Sequence, residues 1–159
     1  MSSPEMSRTA PDSLNVEELL FAATLTNDLN EQLRIYKETE RVHPGDHRAA
    51  NNVGYVYMLQ NKLDEAAAQF AKANSIKENP QSTNNLGVVA MSRARHDAAL
   101  ACYEKAQAIA RRIGDRSGEA MLLNNMGDVC LELGDFGQAA DLGVEAGLKV
   151  GGGEVHVGA

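Results

Sequence analysis

A chain of 159 residues that is 43% apolar and 23% charged is expected to fold as a single globular domain with a real core. Its formal net charge of −7 argues against a phosphate backbone or an anionic membrane surface as partner, though not against a local basic patch, and no apolar run approaches the ~18 residues of a membrane span, so neither nucleic-acid binding nor membrane insertion is expected. Aromatics are only 4% and Trp is absent, so the core must be made of Ala, Leu, Val and Met, which suit closely packed helices better than a sandwich of strands.

Residues 1–12 are rich in Ser, Pro and Thr and are expected to form a disordered lead-in without the apolar centre of a signal peptide, which makes the cytoplasm the default location. Helical periodicity then runs from residue 13 to 150. It predicts eight helices, at 14–26, 29–42, 47–60, 63–77, 82–93, 96–112, 117–133 and 136–149, with Pro44 and Pro80 at boundaries. Gly134 is expected to take the left-handed position that ends one helix and Asp135 to cap the next. Residues 151–159 open with three glycines and are expected to form a flexible tail.

A phrase recurs along the chain: Asn51-Asn52-Val53-Gly54, Asn84-Asn85-Leu86-Gly87 and Asn124-Asn125-Met126-Gly127, with the glycines 33 and then 40 residues apart. Twelve residues after each glycine stands Ala66, Ala99 or Ala139, and four further on stands Phe70, Tyr103 or Gly143. A small residue on each of two helices allows a close crossing, and the aromatic fills the space beside it. The third copy lacks that aromatic. The lengthening from 33 to 40 residues falls at Ile113–Ala120.

These copies resemble the tetratricopeptide repeat, in the form Val53-Gly54-x2-Tyr57 with Ala66-x3-Phe70, Leu86-Gly87-x2-Ala90 with Ala99-x3-Tyr103, and Met126-Gly127-x2-Cys130 with Ala139-x3-Gly143. A degenerate copy, Leu19-Leu20-x2-Ala23 with Gln32-x3-Tyr36, fits upstream, and the last, longer copy resembles the kinesin-light-chain-like branch. The resemblance implies an all-α fold, a right-handed superhelix or solenoid of about four antiparallel helical hairpins, with repeats at about 13–46, 47–79, 80–119 and 120–150. It also implies a protein–protein interaction scaffold that binds a protein or peptide in a concave groove lined by the first helix of each hairpin.

Registering the repeats places Asn51, Asn52, Tyr55 and Met58 in that groove, followed by Asn84, Asn85, Val88 and Met91, and then Asn124, Asn125 and Asp128. Arg48, Gln81, Met121 and Glu132 flank them, and Glu17 and Phe21 are the contribution of the first copy. A side-chain amide both donates and accepts, so a ladder of Asn52, Asn85 and Asn125 is suited to gripping the main chain of an extended peptide; the same asparagines are equally suited to bonding between helices. Tyr55, Met58, Val88 and Met91 supply either an apolar floor or packing onto adjacent helices. The positions where chaperone-tail-binding relatives carry a cationic clamp hold Glu17, Asn51 and Asn84, then Phe21, Tyr55, Val88 and Asp128, which argues against that ligand.

No nucleophile-elbow or phosphate-loop motif occurs, and Cys102 and Cys130 lie in helical patterns as small apolar residues. His43 and His47 are separated by Pro44 and Gly45, off a common helical face. No enzyme activity, cofactor or metal is therefore expected. The last helix carries Phe136, Val144 and Leu148 with three glycines inside it and no amphipathic helix after it. Fraying, a longer array, or a homodimer packed through this helix are the expectations that follow; self-association through the terminal helices, or service as a regulatory fragment of a larger protein, are the rivals to groove binding.

Overall fold

A computed structural model describes residues 14–151. Among them are eight helices: α1 (Val16–Thr24), α2 (Leu29–Val42), α3 (His47–Leu59), α4 (Leu63–Ile76), α5 (Pro80–Ser92), α6 (His96–Ile113), α7 (Arg116–Glu132) and α8 (Phe136–Gly151). The expected lead-in and all but the first residue of the expected tail lie outside the described residues. Successive helices pair as antiparallel hairpins, an all-α repeat architecture with no strand among the described residues.

Polar caps start the helices where the sequence supplies them. Asn15 accepts from the Glu18 amide while Glu18 reaches back to the Asn15 amide, so α1 opens on a capping box. Asp28, Asp46, Asn79, Asp115 and Asp135 cap α2, α3, α5, α7 and α8. α5 begins two residues before the expected 82, because Pro80 occupies its first turn, where a missing N–H costs nothing.

One turn closes the first helix of the last three hairpins. Asn61, Ala94 and Gly134 adopt left-handed φ values of 59°, 55° and 79°. Just after each, an amide returns to the carbonyl five residues back: Lys62 to Tyr57 at 2.8 Å, Arg95 to Ala90 at 2.9 Å and Asp135 to Cys130 at 2.8 Å. The acceptors are the three residues that end the recurring sequence motif, so the motif also sets where each helix stops. The 40-residue spacing is absorbed as about one extra turn in each of two helices: α6 has 18 residues against 14 in α4, and α7 has 17 against 13 in α5.

The chain divides at Glu78/Asn79 into two compact units of two hairpins each. In the first, Leu19, Ala23, Ile35, Val53, Val56 and Phe70 form the interior, with Ala66 fully buried at the α3–α4 crossing. In the second, Tyr103, Ala106, Leu122, Leu123, Met126 and Val129 form one cluster. The crossings differ sharply. A Cβ added at Gly54 would lie 2.8 Å from the Phe70 ring, and one at Gly87 would fall deeper still, into the edge of Tyr103. One at Gly127 would meet nothing nearer than the Ala139 carbonyl at 3.6 Å. With Gly143 where the other hairpins have an aromatic, the α7–α8 crossing is open, and Ala139 is only half-buried.

A buried carboxylate compensates. Glu119, with 7% of its side chain exposed, accepts from Arg111 Nε of α6 at 3.0 Å and pairs with Lys149 Nζ of α8 at 3.3 Å. Arg111 also reaches Glu145 of α8 at 3.6 Å. Arg111 and Glu119 stand in the added turns, so the lengthened repeat brings its own tie between three helices. Desolvation pushes the Glu119 pKa up, but the bonds from Arg111 and Lys149 outweigh it and the net shift is downward.

Candidate functional site on the first-helix faces

In the first unit, α3 presents Asn51, Asn52 and Met58 half-buried and Tyr55 exposed. Arg48 of α3 binds Glu17 of α1 at 2.7 Å and Asp46 at 2.8 Å, so the two first helices lie side by side at this point. Phe21, one turn beyond Glu17 on α1, and Tyr55, two turns beyond Arg48 on α3, are both exposed, as are Leu25 and Leu59. The cation on this face is thus spent on two carboxylates, and Arg48 holds the Asp46 carboxyl below the usual range. Leu59 was not among the sequence candidates, although its place four residues after Tyr55 puts it on the same stripe.

In the second unit the asparagines divide. Asn84 of α5 is only 8% exposed, and its amide oxygen accepts from Asn125 Nδ2 of α7 at 2.7 Å. These two amides join the first helices of successive hairpins. Asn85 is half-buried, while Asn124, Asp128 and Met121 are exposed on α7. Val88 and Met91 are partly buried against the unit's core cluster, so they pack inward as much as they line a face. The structure therefore brings Asn84 and Asn125 together.

The remaining chemistry-bearing residues are accounted for locally. His43 ends α2, its Nε2 3.0 Å from the Leu14 carbonyl, and His47 opens α3. His96 opens α6 with its Nε2 2.8 Å from Glu132. Cys102 and Cys130 are free thiols, Cys130 buried, and burial raises the pKa of both.

Antiparallel hairpins in register, a glycine–aromatic crossing in each of the middle two, and amide-rich first helices define a helical-repeat protein. Tetratricopeptide repeat descriptions match residues 33–83 and residues 80–146. The chain belongs to the tetratricopeptide repeat family, which builds protein–protein interaction scaffolds and is generally non-enzymatic. Among solved structures it is similar to MamA, at 19% identity and a TM-score of 0.71, over 93% of this chain and 84% of that one. It is also similar to BtubC (BKLC) from P. vanneervenii, at 19% identity and a TM-score of 0.75, over 91% of this chain and 66% of that one. At these identities the likeness is one of fold. No curated protein matches the sequence significantly.

Proposed function

We propose that the chain is a scaffold that holds a peptide segment of a partner protein against the first-helix faces of its hairpins. The observation that carries this reading is the pair of exposed aromatics, Phe21 and Tyr55, on helices tied together by Arg48 and Glu17. Large apolar side chains left in water beside polar amides are the composition of a recognition surface, in which aromatics anchor and amides bond the main chain. In the first unit Asn52 supplies such an amide beside the aromatics; in the second, Asn84 and Asn125 act by holding α5 to α7.

A peptide ligand selected from a displayed library tests the reading. Tyr55→Ala and Asn52→Ala are expected to weaken it at least tenfold with unchanged thermal stability, whereas Asn125→Ala is expected to lower stability by about 1 kcal/mol. Full affinity in both Tyr55→Ala and Asn52→Ala, with the loss appearing only in stability, would refute it.

A further inference from the structure

Helix α8 has one face that no other described residue covers. Phe136 is 70% exposed, Val144 66% and Val150 68%, and Ala140, Gly143, Gly147 and Gly151 are exposed beside them. At 100° per residue these seven residues fall within about 120° of one side of the helix, turned away from half-buried Leu142, Glu145 and Lys149. The charged residues Glu145 and Lys149 stand on the inner side, tied toward Arg111 and Glu119. Only Asp141 borders the outer face.

The pattern along this face is complementary to itself when reversed. Laid antiparallel on a second α8 about the midpoint between Gly143 and Val144, Phe136 meets Gly151, Ala140 meets Gly147, and Gly143 meets Val144. Every pair sets a side chain against a glycine, so projections fill notches at both ends and at the centre. No carboxylate faces another in this register: Asp141 falls opposite Ala146 and Glu145 opposite Leu142. A surface that matches its own reverse is the requirement for a two-fold, isologous contact. Antiparallel packing also sets the positive end of one helix dipole beside the negative end of the other.

We infer that α8 is the contact of a two-fold homodimer, in which the outer faces of two copies pack antiparallel. The occupant is a second copy of this chain, because the face carries its own complement. A single helix of ~24 Å covers only part of the about 800 Å² per partner of a standard interface, so the association is weak and concentration-dependent.

Sedimentation of the full chain from low micromolar to millimolar concentration tests this. A monomer–dimer equilibrium is expected, and Val144→Glu, which puts two carboxylates at the two-fold axis, is expected to shift it at least tenfold toward monomer while leaving helicity and melting unchanged. Oxidation of Val144→Cys should yield a linked dimer. Phe136→Cys alone should not, whereas mixed with Gly151→Cys it should. A chain that stays monomeric throughout, including one whose α8 is covered only by a different protein, overturns the inference. So does a dimer indifferent to Val144→Glu, or one linked efficiently through Phe136→Cys alone.

Discussion

Replacing the motif glycine by alanine should have opposite signs in two hairpins of the same unit. At Gly87 the new methyl would enter the ring edge of Tyr103, with Cδ1 at 2.7 Å and Cζ at 3.0 Å, and Tyr103 is itself 3% exposed and has little room to move. Overpacking of this kind costs about 2–3 kcal/mol, offset by about 1 kcal/mol from the better helix propensity of alanine, for a net loss of about 1–2 kcal/mol. At Gly127 the same methyl meets only the Ala139 carbonyl at 3.6 Å and Leu142 Cβ at 4.0 Å, ordinary contact distances, so the propensity term stands alone and Gly127→Ala gains up to about 1 kcal/mol. Thermal and urea unfolding followed by circular dichroism reads both. Each kcal/mol moves the midpoint by about 2–4 °C for a chain of this size. If Gly87→Ala melts with the wild type, or Gly127→Ala falls as far as Gly87→Ala, the idea that the aromatic makes the crossing tight is wrong.

Two further predictions rest on single residues. Ala94 holds a left-handed φ of 55° that glycine adopts without strain, so Ala94→Gly should stabilise the chain by about 0.5–1 kcal/mol in the same unfolding assay. Glu119→Gln should cost about 1–2 kcal/mol at pH 7. Because the folded pKa of Glu119 is lowered, the stability it confers is present above the unfolded value of about 4.3 and is lost as pH falls through the folded pKa. The difference between wild type and Glu119→Gln should therefore shrink on acidification below about pH 4, and a constant difference would remove the carboxylate from the account.

The helices were legible because their punctuation is local. Asp28, Asp46, Asp115 and Asp135 stand at helix starts, and the left-handed turn falls at Asn61 and Gly134, residues that tolerate it. Ala94 gave no such sign, since its conformation is imposed by the repeat rather than by its own preference. The crossings were legible too: Gly54 with Phe70 and Gly87 with Tyr103 make the contacts that the spacing implies, and Gly143 leaves the gap that it implies.

The site was legible only as a face. Adjacent asparagines are separated by 100° on a helix, so the sequence does not say which of Asn84 and Asn85 turns inward, and it was Asn84 that became the partner of Asn125. Glu119 was missed because a carboxylate reads as a solvated residue, and Arg111, eight positions earlier, becomes its neighbour only after the turn between α6 and α7 reverses the chain.

The side-chain bonds that join one hairpin to the next have a kinetic consequence. Arg48–Glu17, His96–Glu132 and Asn125–Asn84 close loops of 31, 36 and 41 residues, about one repeat each. The entropy of bringing such ends together grows only with the logarithm of loop length. Ties of this reach favour a low contact order and fast folding for the chain's size. Each unit can then nucleate on its own neighbours, and an added hairpin would change the time to fold far less than it would lengthen the chain.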